Sequence, residues 1–118
     1  MPQLDLSASS LEITRAVCDI PSVSDDETAL ADAIYDAVSP FGHLTVERDG
    51  DTIIARTDLG RAQRVAIAGH IDTVPINDNL PARDIDVDGE PFLWGRGTVD
   101  MKAGVAVQLK LAAELVAP

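Results

Sequence analysis

Aromatic side chains are scarce in this sequence. One Trp, one Tyr and two Phe stand among 118 residues, so an apolar share of 46% is made mostly from Ala, Val, Leu and Ile. Positive charge is scarce too. Nine Lys and Arg face twenty Asp and Glu, for a formal net charge of −11. Phosphate binding draws on clustered Lys and Arg, so nucleic acid is not an expected partner. The acidity reads as a solubility feature. Cysteine is limited to Cys18, which excludes an internal disulfide and reads as a small apolar residue of the first helix. No apolar run approaches the ~20 residues that span a bilayer. Met1–Ser10 lacks the basic-then-apolar profile of a signal peptide. No membrane partner is expected, and a cytoplasmic location is.

The length suits a single domain with a core of its own. Ser9 and Glu12 form a capping-box pattern that opens a first helix, with Leu11, Ile13, Ala16, Val17 and Ile20 apolar and Pro21 as its stop. Ser24 and Glu27 repeat the pattern, predicting a second helix from Ser24 with a Leu30, Ile34, Val38 stripe. His43–Arg48 and Thr52–Thr57 read as strands joined at Asp49-Gly50-Asp51. His43, with no second ligand nearby, reads as a surface residue. Arg64–Ala68 reads as a buried strand. Asp84, Asp86 and Asp88 before Gly89 imitate the start of a calcium loop, but its twelfth position is Gly95 and Pro91 lies inside it. Alternation with Ile85 and Val87 favours a strand entering a tight turn, returning through Phe92-Leu93-Trp94. Lys102–Val116 reads as a final helix. Only Gln108, Lys110 and Glu114 interrupt its apolar run, so burial on most sides is expected. This order of elements indicates a layered α/β domain.

Chemistry concentrates between Arg64 and Met101. The predicted strand ends in Gly69-His70-Ile71-Asp72, and side chains two apart on an extended strand project to one side. An imidazole that can bind a metal thus emerges beside a carboxylate that can orient it. Gly95-Arg96-Gly97-Thr98-Val99-Asp100 brings a further carboxylate to the start of the final helix. Its glycines imitate a dinucleotide fingerprint, yet Asp100 occupies the last glycine position, where it would repel a pyrophosphate. Imidazole and carboxylate donors suit Zn²⁺, but two ligands are fewer than the about four that zinc prefers. The residues by themselves define a partial metal site.

Gly69-His70-Ile71-Asp72-Thr73-Val74-Pro75, paired with Gly95-Arg96-Gly97-Thr98-Val99-Asp100-Met101-Lys102-Ala103-Gly104, resembles the double signature of the M20 metallopeptidase family. Ile20–Ser24, Asp49–Asp51 with Ala55–Thr57, and Val74-Pro75 with Asn79–Pro81 extend the similarity over nearly the whole chain. These stretches resemble the branch that removes succinate from N-succinyl-L,L-diaminopimelate. Acetylornithine deacetylase-like enzymes, other deacylases and peptidases share the paired motifs, and a non-catalytic binding or assembly module is a further alternative. The resemblance implies an α/β/α zinc-hydrolase-like domain with a mixed sheet. It also implies two Zn²⁺ per complete site (with cobalt an alternative), and an acyl-amino acid substrate. His70 would ligate one metal, Asp100 would bridge both, and Asp72 would be the catalytic carboxylate that orients His70. A cis peptide at Asp100-Met101 is expected on the same ground. In the family the general-base glutamate, the other metal ligands and an inserted lid that pairs subunits into a homodimer lie beyond position 118. Residues 1–118 therefore correspond to the N-terminal portion of an M20-type catalytic domain.

Overall fold

Ser9 opens the first helix as its pattern requires. A computed structural model of the chain, describing residues 2–118, places helix α1 at Ser10–Cys18. Ser9 Oγ accepts from the Glu12 amide, and the Glu12 carboxylate accepts from the Ser9 amide, closing the box. There follow α2 (Thr28–Val38), β1 (Thr45–Asp49), β2 (Thr52–Arg56), β3 (Arg83–Val87), β4 (Glu90–Trp94) and α3 (Lys102–Glu114). The core lies where the helices meet, with Ile13 and Val17 from α1, Leu30, Ile34 and Val38 from α2, and Val105, Ala106 and Leu109 from α3. The Leu30, Ile34, Val38 stripe faces this core as its spacing predicts. Each such side chain, fully buried, contributes roughly 1.5–3 kcal/mol through the hydrophobic effect.

The α/β class is as expected, but the strands pair as two separate antiparallel hairpins rather than as one mixed sheet. β1 and β2 turn at Gly50-Asp51, and β3 and β4 turn at Asp88-Gly89, where both residues have positive φ. Positive φ at both central residues suits the right-handed twist of the flanking strands. The Asp84–Asp88 run is thus a strand and turn. Asp86 is occupied locally, its carboxylate accepting from the Gly89 amide. The first hairpin lies against α2, where Arg48 pairs with Asp32 at 2.7 Å. The second hairpin is tied to α1 through Arg15–Asp84 at 2.7 Å and through the Ala82 amide donating to Asp19.

Four further expectations change. Arg64–Ala68 is not a strand: it is exposed throughout, and Val65 retains 87% of its accessible surface. A strand needs a neighbour for its backbone groups, and none of the described residues pairs with this segment. Helix α2 starts at Thr28 rather than Ser24, with Glu27 at its cap and no side-chain cap bond. Helix α3 ends at Glu114 rather than Val116: Val105, Ala106 and Leu109 are buried in the core, Val107 is exposed on the helix, and Leu115 and Val116 are exposed beyond it. His43 is half-buried rather than superficial, with Nε2 2.7 Å from the Ala112 carbonyl of α3 and its ring edge-on to Phe41.

Candidate metal centre

The link between α1 and α2 does more than connect them. Residues 22–24 run parallel to residues 71–73, with Val23 bridged to Thr73. The Thr73 amide donates to Ser22 O, the Ser24 amide donates to Thr73 O, and Ser22 Oγ donates to Ile71 O. This short ladder fixes the segment that carries His70 and Asp72. Its other support is α3. The His70 amide contacts Met101 Sδ at 3.5 Å, and Gln108 Nε2 donates to Ala68 O. Gly69 permits that approach, since a Cβ there would lie 2.9 Å from Met101 Cε.

Asp100 arrives from the opposite side on the Gly95–Asp100 loop. The Arg96 amide donates to Asn79 O, and the Lys102 amide donates to Gly97 O. Gly97 has φ +89°, and a Cβ there would meet Lys102 Cδ at 2.9 Å and Thr73 Cγ2 at 3.1 Å. Lys102 is buried to 1% exposure, and its Nζ donates to the Ile20 carbonyl at 2.8 Å. Burial depresses its pKa, against the opposing pull of Cys18 and Asp19. One buried lysine therefore anchors the start of α3 to the end of the α1 segment. The Asp100-Met101 peptide is cis, as expected, and so is Leu80-Pro81.

These supports bring the three predicted site residues together. His70 Nδ1 lies 3.1 Å from both the backbone carbonyl and Oδ1 of Asp72. His70 Nε2 lies 3.0 Å from Asp100 Oδ1. Ser24 Oγ completes the row by donating to Asp72 Oδ2 at 2.5 Å. That bond is the main reason the Asp72 carboxyl sits below its usual pKa. Partial desolvation opposes it, and the His70 charge adds to it. For His70, lost hydration pulls the pKa down, but the hydrogen bonds and charges of Asp72 and Asp100 outweigh it, and the net shift is upward.

The donor set tests the metal reading. With Nδ1–H held by Asp72, a neutral imidazole turns its Nε2 lone pair toward a carboxylate oxygen. Two acceptors at 3.0 Å repel unless positive charge sits with them. A proton on Nε2 meets that need, and imidazole and carboxylate are also donor types that a divalent cation takes, so the donor chemistry fits a metal. They are only two donors, and among the described residues no three His, Cys, Asp or Glu side chains gather into a metal-holding cluster. A cleft of about 440 Å³ surrounds them, lined also by Ser24, Thr73, Arg96 and Thr98. Ser24 and Arg96 were not legible as site residues. Ser24 imitates a helix cap, and its partner Asp72 lies 48 positions away. For Arg96 the sequence did carry a signal: a cation between two glycines in an acidic chain.

A profile of Peptidase family M20/M25/M40 matches residues 66–118, the part of the chain that contains His70, Asp72 and Asp100. This region of the chain is similar to the peptidases of that family. The chain is 47% identical over 116 residues to the succinyl-diaminopimelate desuccinylase of Corynebacterium glutamicum, a match covering 97% of this chain and 30% of that protein. A Mycobacterium tuberculosis protein provisionally named for the same activity is 43% identical over 116 residues, covering 98% of this chain and 32% of its own length. The Wolinella succinogenes succinyl-diaminopimelate desuccinylase is 28% identical over 112 residues, covering 93% and 31% respectively. The chain thus spans about a third of the length of the curated relatives it matches.

Proposed function

We propose that the chain is the N-terminal portion of the catalytic domain of a zinc-dependent amide hydrolase that releases succinate from N-succinyl-L,L-diaminopimelate. Such an enzyme would work in lysine and diaminopimelate biosynthesis. The observation that carries the proposal is the His70 imidazole held between two carboxylates, Asp72 on Nδ1 and Asp100 facing Nε2. The desuccinylase names of its relatives support the choice of acyl group.

His70 and Asp100 would hold the metal. When bound, Zn²⁺ supplies Lewis-acid polarisation of the amide carbonyl and an acidified water. Asp72 keeps His70 in the tautomer whose Nε2 is free to donate its lone pair, and its negative charge makes that nitrogen more basic. Ser24 holds the Asp72 carboxylate in the orientation this requires. Asp100 lines the cleft with its side chain 84% exposed, so its carboxylate is accessible to a cation. General-base and further ligand groups would come from sequence outside these residues, as would a lid through which subunits pair into a homodimer. A cytoplasmic location accords with this role. No helix among the described residues is long and apolar enough to cross a membrane.

The expected result is that the 118-residue chain does not hydrolyse N-succinyl-diaminopimelate, while a polypeptide of the relatives' full length does so with zinc. Zinc-dependent succinate release by the isolated chain would sink the fragment reading. Unchanged zinc binding after His70→Ala and Asp100→Ala would remove the metal role.

A further inference from the structure

We infer that Arg96 is the anion anchor of this cleft, taking a carboxylate of the substrate on its guanidinium; the assignment rests on the hydrolase reading above. Among the described residues, Arg96 is the only Lys or Arg that lines the cleft shared by His70, Asp72 and Asp100. Arg15, Arg48 and Arg56 each hold a carboxylate of this chain. Arg96 forms no ion pair among the described residues, although two aspartates line the same cleft. Both of those aspartates are already turned to His70. Arg96 Nε is buried with no hydrogen-bond partner. Buried donors are nearly always satisfied, so an Nε–H without a partner among the described residues, on a side chain that lines the cleft, points to an acceptor supplied from outside them.

The backbone under Arg96 is built to hold it still. A Cβ on Gly95 would lie 3.0 Å from the Ala82 backbone, and the Arg96 amide is bonded to Asn79 O at 2.8 Å. Gly97 is locked beneath Lys102 on the other side. The guanidinium therefore rises from a fixed base rather than a free tether. A carboxylate is the ligand its planar fork matches best, through two parallel charge-assisted bonds. In an N-acyl amino acid that carboxylate could belong to the succinyl group or to the amino-acid α-carbon.

The test uses the full-length polypeptide and three substrates. These are N-succinyl-diaminopimelate, its analogue with the succinyl carboxylate converted to a carboxamide, and its analogue with the α-carboxylate converted likewise. Arg96→Ala should raise KM for the parent roughly tenfold to a hundredfold with kcat changed far less, the pattern of lost uniform binding. The penalty should vanish with one of the two analogues, and that analogue names the carboxylate Arg96 holds. Arg96→Lys, which keeps charge but loses the fork, should give a smaller KM increase on the same carboxylate, and it serves if the alanine variant does not fold. An equal loss on all three substrates would overturn the assignment. Calorimetric titration of succinate and of diaminopimelate into the metal-free protein separates this failure from that of the hydrolase reading. Arg96→Ala should weaken at least one of them about tenfold or more, and loss for neither would overturn the anchor. A wild type that binds through Arg96 yet hydrolyses nothing would remove the hydrolase reading and leave the anchor standing.

Discussion

Replacing Gly97 by alanine should be among the more damaging single-methyl additions to this chain. Its φ of +89° is a conformation L side chains rarely adopt, and forcing alanine into it costs roughly 1–2 kcal/mol. The new Cβ would also stand 2.9 Å from Lys102 Cδ and 3.1 Å from Thr73 Cγ2. Neither neighbour is free to yield. Lys102 is buried with Nζ bound to Ile20 O, and Thr73 is held by the ladder to residues 22–24. Overpacking of this kind costs about 1–3 kcal/mol, so the total is about 2–5 kcal/mol. Gly89 provides the control. Its φ is +84°, nearly the same, but nothing lies within 4 Å of its missing Cβ. Gly89→Ala should therefore cost only the backbone term of about 1–2 kcal/mol. Urea unfolding followed by far-ultraviolet circular dichroism compares the two variants directly. Equal losses would refute the argument, because they would mean that Lys102 and Thr73 do not confine Gly97. Zinc binding is the second readout. Gly97→Ala should weaken it by displacing Asp100, and Gly89→Ala, at the far end of the second hairpin, should not.

Three further outcomes follow from named contacts. Ser24→Ala removes the main influence holding the Asp72 carboxyl low, so its pKa should rise in a carbon-13 titration of the metal-free chain; an unmoved midpoint would break the Ser24–Asp72–His70 row. Cys18 has no exposed surface, and burial pushes its thiol up to about 11. It should resist aromatic disulfide reagents at pH 8 until the chain is unfolded. Because its folded pKa lies above the unfolded one, its contribution to stability is complete below the ordinary thiol range and is lost as pH rises toward 11. Cys18→Ala should flatten stability across that alkaline window, and an unchanged profile would show that the thiol does not titrate there.

Much of the site was legible because its residues lie in short local patterns. Gly69–Asp72 and Gly95–Asp100 each hold their chemistry within a few residues, and extended backbone before Asp72 suffices to bring its side chain beside His70. The capping box at Ser9, the Leu30, Ile34, Val38 stripe and the Asp88-Gly89 turn were readable for the same reason: each depends on neighbours within about one or two helical turns, or on a two-residue turn. Ser24 misled because a hydroxyl four residues before a helix has the composition of a cap whether or not it serves as one. Its actual acceptor is supplied by a distant segment.

The sequence by itself determined which residues are candidates for the site, since His70, Asp72 and Asp100 stand out by residue type, glycine flanks and spacing. Tertiary structure decided what those residues meet. Apolar alternation at Arg64–Ala68 could promise a strand but could not provide its hydrogen-bonding neighbour, and the segment lies exposed. The apolar run of α3 could promise burial but not the surfaces to cover every side. The same holds for the groups that support the site. A lysine buried against Ile20 O and a serine bound to Asp72 are partnerships across 82 and 48 positions, and that Arg96 Nε lacks a partner among the described residues is visible only in the folded chain. Side-chain type and local spacing are properties of the chain, whereas satisfaction of a donor, an acceptor or an apolar face depends on which distant segment arrives beside it.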